Sequence, residues 1–155
     1  MNLFLVRHAI ATPRTPERPD SLRPLTEAGR ERFRRCVRGL GRLGVRFDLV
    51  LHSPWQRAKE TALELGPLAE SPPRPTALLA SEVDLELFDL IHGYDDVALV
   101  GHEPWLGDLA IECLSPGSNL HFDLKKGSVL WLRGPARPGH MELVALLPPK
   151  VLTKI

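Results

Sequence analysis

Two histidines and two arginines stand where a sequence places chemistry. Leu3-Phe4-Leu5-Val6, a run of apolar strand formers, ends in Arg7-His8-Ala9. Asp48-Leu49-Val50-Leu51 ends in His52-Ser53-Pro54, with Arg57 soon after, and Val97-Ala98-Leu99-Val100 ends in Gly101-His102-Glu103-Pro104. Short apolar runs of this kind read as buried strands. A charged pair at the carboxyl end of a buried parallel strand is costly as core and well placed as a site, because open α/β sheets bind ligands in the crevice beyond those ends. The three ends are expected to meet and bring Arg7, His8, Arg57 and His102 together. Arginine holds oxyanions with a planar fork that never loses its charge, and imidazole titrates near neutrality. Arg57 falls in the first turn of a helix, where the dipole disfavours a cation unless an anion sits there too. These residue types offer anion binding with imidazole as the reactive group.

Positioning them takes an alternating chain. Ala11 to Arg23 is a polar, proline-dense loop, a surface segment that can also rim a site. Thr26 is placed to cap a helix running to about Leu43, with Phe33, Val37, Leu40 and Leu43 at helical spacing. The other face carries Arg30, Arg32, Arg34, Arg35, Arg38 and Arg42. It reads first as a solvated face and alternatively as a docking face for an acidic partner. After the strand at 48–51, Ser53 and Gln56 have capping-box spacing with Pro54 as the first helical residue, and that helix reaches about Leu65. Pro67 to Pro75 is a turn region, Ala77 to Ala80 a short strand and Val83 to Ile91 an amphipathic helix. The strand at 97–100, a helix from Pro104 to about Leu114 and strands at 128–132 and 142–147 complete the order βαβαβαβαββ. That alternation predicts an α/β fold: one domain spanning 1–155, a three-layer α/β/α sandwich around a mostly parallel sheet.

A chain of 155 residues, 43% hydrophobic and 25% charged, is long enough to build one domain with a real core. The net charge of +1 gives no support to a nucleic-acid-binding face. No run approaches a membrane span and Met1 leads straight into a strand, so a cytoplasmic location with no membrane association is expected. Cys36 and Cys113 fall in predicted helices, outside any metal spacing, and read as buried free thiols. None of the six histidines has a metal-site spacing either, so neither metal nor cofactor is expected. His92, His121 and His140 read as structural or solvent-facing, and His52 as a residue behind or beside the site. Trp55 and Trp105 read as core or rim hydrophobes next to it.

In order along the chain, Leu-Val-Arg-His-Ala at 5–9, Ser-Pro-Trp-Gln-Arg-Ala-Lys-Glu-Thr-Ala at 53–62 and Leu-Val-Gly-His-Glu-Pro at 99–104 resemble the motifs of the histidine phosphatase superfamily, also called phosphoglycerate-mutase-like. The short chain and Arg-Pro-Leu-Thr-Glu-Ala-Gly at 23–29 look most like its SixA-type phosphohistidine phosphatase branch. The resemblance runs from Met1 to about Leu114. It implies a phosphoglycerate-mutase-like fold and metal-independent phosphoryl transfer to a histidine. By that resemblance His8 is the nucleophile and becomes phosphohistidine, Arg7 and Arg57 hold the phosphoryl oxygens, and His102 binds or polarises another oxygen and is protonated when phosphate is present. Arg23 corresponds to an arginine that reaches the pocket in that branch, oriented by Asp20. Ser53 matches the serine before proline; it counts with the substrate-binding group and is read as the helix cap. The implied substrate is a phosphohistidine-bearing protein, a histidine-phosphotransfer or phosphocarrier domain of a signalling relay.

Two departures shape the expectation. Ala9 replaces the usual glycine while keeping the position small. Larger relatives that cleave phosphate esters carry a general acid between the second arginine and the second histidine; here that interval is short, and Glu82 and Asp84 are the candidates by position. An alkoxide leaving group needs a proton, whereas imidazole leaving from a phosphoramidate needs less help because its other nitrogen already carries one. This favours phosphohistidine. The first alternative is a phosphatase for a small phosphate ester or anhydride with a working acid at Glu82 or Asp84. The second is a non-catalytic phosphate-binding module, which would have no need of the nucleophile.

Overall fold

The computed structural model describes all of residues 1–155. In chain order it contains β1 (Asn2–Arg7), α1 (Glu27–Arg42), β2 (Leu49–His52), α2 (Gln56–Glu64), β3 (Arg74–Pro75), α3 (Glu86–Leu90), β4 (Asp96–Gly101), α4 (Trp105–Leu114), β5 (Val129–Arg133), β6 (Glu142–Leu147) and α5 (Pro149–Leu152). All six strands form one sheet in the order β3-β2-β4-β1-β5-β6. β1 to β4 run parallel, while β5 opposes both β1 and β6. The expected α/β fold with a mostly parallel sheet is the fold the chain adopts.

The winding explains the layers. From β1 through α1 to β2 and through α2 to β3 the chain moves toward one edge; α3 then carries it back to β4, and α4 carries it past β1 to β5. Right-handed crossovers in opposite directions put their helices on opposite faces. Phe4, Val6, Val50, Ala98 and Val100 therefore pack with Phe33, Leu40 and Ala58 of α1 and α2. The alternate residues Leu3, Leu5, Leu51, Val97 and Leu99 pack with Leu87 and Leu106 of α3 and α4. The reversal also leaves β4 between β1 and β2. Arg7 registers opposite Gly101 and His52 opposite Val100, so the three strand ends finish side by side.

Thr26 caps α1 as expected, its hydroxyl accepting from the Gly29 N–H at 2.9 Å. Arg30 and Arg34 of α1 bond Glu60 and Glu64 of α2 at 2.8–2.9 Å, locking the two helices side by side. Cys36 and Cys113 are buried free thiols. Several expectations need correction. Residues 77–79 form a single 3₁₀ turn and no strand, because the Thr76 hydroxyl accepts from the Leu78 N–H and starts a turn there. The edge strand lies just before it, at Arg74–Pro75, where a proline is tolerated because its missing donor is not needed. The helix expected over 83–91 shrinks to Glu86–Leu90 because Asp84 Oδ1 accepts from the Glu86 N–H and sets a later start. The pattern did not signal α5.

This last helix depends on a glycine. A Cβ on Gly39 would lie 2.1 Å from the Leu152 carbonyl oxygen, so the glycine lets α5 press against α1. Ala at an ordinary helical glycine stabilises, but here the overlap reverses the sign. Gly39→Ala should lower stability by about 1–3 kcal/mol, read by urea unfolding; a neutral or stabilising result would mean α5 is not seated on α1.

Candidate active site

β1 delivers Arg7 and His8, β2 delivers His52 and Ser53, and β4 delivers His102, all at the carboxyl edge of adjacent strands. Arg57 enters from the first turn of α2. His8, Ser53, Arg57 and His102 are buried, and Arg7 is half-buried. Burial of so many polar groups at one strand edge is costly unless each is partnered, and nearly all are.

His8 has an assignable tautomer. Its Nδ1 lies 2.7 Å from the Ala9 carbonyl oxygen, which only accepts, so Nδ1 carries the proton. The lone pair of Nε2 faces the Arg57 Nε–H at 3.1 Å. Burial, with help from Arg57 and Arg7, lowers the His8 pKa to about 4 against the Ala9 bond, which raises it. A neutral imidazole with an unprotonated Nε2 is the form that attacks an electrophile. The backbone around it is pinned: the Ala9 N–H donates to the Thr61 hydroxyl at 3.0 Å, and Thr61 donates to the Arg57 carbonyl at 2.7 Å. One threonine thus ties the loop after His8 to the helix bearing Arg57. Thr61 lies within the motif at 53–62, but nothing in its residue type or spacing assigned it this role.

Arg57 is held on two edges. Its Nε edge meets His8, while its two terminal nitrogens donate to the Asp20 backbone carbonyl at 2.7 Å and the Asp20 carboxylate at 3.1 Å. The same carboxylate accepts from Arg23 Nε at 2.8 Å and is ion-paired with Arg14, whose Nε lies 2.8 Å away. Burial pushes the Asp20 pKa up, but Arg57 and Arg23 outweigh it and hold the carboxyl below its usual value. The expectation that Asp20 orients Arg23 corresponds to a bond in the structure, and Asp20 orients Arg57 as well. Arg23 also donates to the Thr12 carbonyl at 2.7 Å, so it braces the loop behind Arg57 and does not touch His8.

His102 lies against His8 with ring centroids 5.2 Å apart, and burial together with His8 and Arg57 lowers its pKa to about 3. Its Nε2 is 2.8 Å from the Ser53 hydroxyl. Ser53 is fully buried behind His102 and does not cap α2: the helix starts at Gln56 after Trp55, and the Ser53 hydroxyl accepts only from the Trp55 N–H at 3.3 Å. The reason is local, since serine readily closes a turn onto the amide two residues on and so pushes the helix start along. Pro54 is accordingly outside the helix. Trp55 stacks near both groups, its ring 4.7 Å from His102 and 4.6 Å below the Arg57 guanidinium. His52 is buried and turned to the Ser53 carbonyl at 2.8 Å. His92, His121 and His140 are exposed.

Arg7 donates through one terminal nitrogen to the Leu124 carbonyl, and the Leu124 N–H in turn donates to Glu103 at 2.9 Å. Glu103 also accepts from the Gly107 N–H at 3.2 Å, so both its oxygens are occupied by amides. The sequence reading passed over Glu103. Two buried nitrogens lack any partner: Arg7 Nε and His102 Nδ1. Buried polar atoms without a partner are exceptions in folded proteins, and at a site they are the atoms that a polar ligand can satisfy. No group of three or more His, Cys, Asp or Glu side chains is placed to hold a metal ion, and no helix is long and apolar enough to cross a membrane. Of the two acid candidates, Glu82 is exposed, while Asp84 lines a narrow apolar cleft beside His102 with Trp105 and Leu78.

Residues 3–89 match the sequence profile of the histidine phosphatase superfamily (branch 1). An uncharacterised protein of Picosynechococcus sp. is 36% identical over 164 residues, covering 98% of this chain and 99% of the relative. The protein histidine phosphatase SixA, solved with tungstate, superposes with a TM-score of 0.82 at 25% identity over 97% of this chain and 98% of its own. The alpha-ribazole phosphatase of Shigella flexneri shares the fold at a TM-score of 0.75 and 19% identity, over 96% and 97% of the two chains.

Two outcomes follow from the site's geometry. Histidines in the unfolded chain take protons near 6.5, whereas His8 and His102 resist until about 4 and 3. Between those values the unfolded state binds more protons, so the stability present above 6.5 drains as pH falls toward 4. The melting temperature should therefore drop between pH 7 and about 4.5, and the drop should shrink when both histidines are replaced by alanine. A pH slope unchanged by the substitutions would place both rings in water. Asp20→Asn keeps the shape but removes the charge steering Arg57, so kcat/KM should fall about ten- to a hundredfold, the worth of a charged hydrogen bond. Undiminished kcat/KM would mean that Arg57 is oriented by other groups.

Proposed function

Since the chain belongs to the histidine phosphatase superfamily, we propose that this phosphatase removes the phosphoryl group from phosphohistidine in a protein, through a covalent intermediate on His8. The observation that supports this choice of substrate is the state of the carboxyls around the nucleophile. Asp20 is held ionised by arginines and both Glu103 oxygens are taken by amides. Asp20 has no proton to give, and on Glu103, whose pKa burial raises, a proton would displace an amide donor, so a leaving group that departs without one is favoured. The relative SixA, whose structure holds tungstate, a tetrahedral oxyanion, adds support.

In this reading the His8 Nε2 lone pair attacks phosphorus. The bond between phosphorus and the substrate's imidazole breaks, and its electron pair goes to that ring, which leaves neutral because its far nitrogen already holds a proton. Arg7, Arg57 and His102 bind the three phosphoryl oxygens, with the partnerless Arg7 Nε and His102 Nδ1 as donors. A dianion beside His102 raises its pKa and favours the protonated ring. The phosphorylated His8 keeps its Nδ1 proton on the Ala9 carbonyl, so it too is a ready leaving group. Water then attacks phosphorus, the electron pair returns to Nε2, and phosphate departs. Arg23 and Ser53 act by holding Asp20 and His102 in place.

A second reading, a small-ester phosphatase, is favoured by one observation: Asp84 lines the cleft that opens beside His102. The two are separated by turnover of a phosphohistidine protein against an alkyl phosphate, which requires protonation of its leaving group. Phosphohistidine should lead in kcat/KM by about a hundredfold or more, the usual worth of an acid catalyst, and His8→Ala should be inactive on both. A lead for the alkyl phosphate, lost in Asp84→Asn, would move the function to small esters; activity surviving in His8→Ala would remove the covalent step.

A further inference from the structure

Of the six arginines of α1, three are ion-paired and three, Arg32, Arg35 and Arg42, are not. Arg30 and Arg34 are spent on the glutamates of α2, and Arg38 lies 3.8 Å from Glu31. Arg32 sits apart from these pairs. It lines a shallow depression with Arg7, Ile10, Lys125 and Lys126, immediately outside the phosphoryl site. This depression is continuous with the nucleophile's own backbone, because Gly127, next to Lys126, donates its N–H to the carbonyls of Arg7 and His8 at 3.1 Å. A single carboxylate answers these cations: Asp123, 2.7 Å from Lys125 and 3.6 Å from Arg7. In a chain whose net charge is only +1, this is a segregation of like charge. Such crowding is unfavourable until opposite charge arrives, and a patch of one sign beside a site steers what approaches it.

The opposite side of the mouth is different in kind. There the cleft beside His102 is walled by Leu78, Val83 and Trp105. Of the two, only the depression presents lysines and arginines, and the charged carboxyl in the cleft is Asp84, so an acidic partner is steered to one side, which fixes its orientation as well as its rate of approach. Lys125 and Lys126 are exposed, and they stand on a different element from Arg32. An open, two-element surface suits another protein's face better than the second anionic group of a small molecule, which an enclosed subsite would grip.

We propose that Arg32, Lys125 and Lys126 form a docking lip for acidic residues flanking the phosphohistidine of the protein substrate. The proposal rests on the phosphohistidine reading above. The test compares wild type with the Arg32→Gln, Lys126→Gln double variant on two probes: the free amino acid phosphohistidine, and an acidic histidine-phosphotransfer domain phosphorylated with phosphoramidate. On the protein, the variant's kcat/KM should fall by about tenfold at low salt through KM, and the gap should close as salt is raised. On free phosphohistidine the variant should match wild type. An equal loss on both probes, or no loss on the protein, overturns the lip while leaving the phosphohistidine reading intact. Turnover of neither probe by wild type overturns that reading, and the lip with it.

Discussion

The site depends on one hydrogen bond, from Arg57 Nε to His8 Nε2. It requires a buried imidazole to stay neutral against a permanent cation at contact distance, a pairing that water would not impose. Three arrangements make it hold. Burial removes the solvent that would stabilise an imidazolium, the Ala9 carbonyl keeps the proton on the far nitrogen, and Asp20 absorbs the outward edge of the guanidinium. Asp20, with the Trp55 ring beneath the guanidinium, fixes the face that the arginine presents. The cation count is thus balanced by the segment carrying Asp20, whereas the position of His8 Nε2 is set by the sheet.

That division of labour follows from how the chain winds. A sheet wound in one direction would have placed β2 next to β1 and left the His102 strand elsewhere. Reversing direction after β3 inserts β4 between them, and three side chains far apart in sequence arrive on neighbouring strand ends. Because β1 and β4 are fully paired on both sides, the backbone carrying His8 and His102 has little freedom to shift. The groups that must yield to a ligand, such as Asp20 and Leu124, lie on irregular segments at the rim.

The sequence showed every strand but β3, and the site's principal side chains, because both rest on strong local signals: continuous apolar runs, and charge where such runs stop. Arg57 was legible for the same reason, as a cation in the wrong turn of a helix. What escaped was set by contacts between distant segments. Ser53 has the spacing of a cap, yet a turn onto Trp55 and the proximity of His102 claim its hydroxyl. The seating of α5 depends on a missing side chain at Gly39, and a glycine inside a helix announces only that something is close. Glu103 and Thr61 act through backbone amides and carbonyls of other elements, which no residue pattern encodes.

The unpartnered nitrogens of Arg7 and His102 have a thermodynamic side. A folded chain that carries buried polar atoms without partners is less stable than its packing alone would make it, and two of those atoms lie in the site. An oxyanion that fills it binds only the folded form, because only there do β1, β4 and α2 converge. Occupancy and folding are therefore linked by mass action. The polypeptide holds part of its cohesion in reserve for whatever anion occupies the pocket.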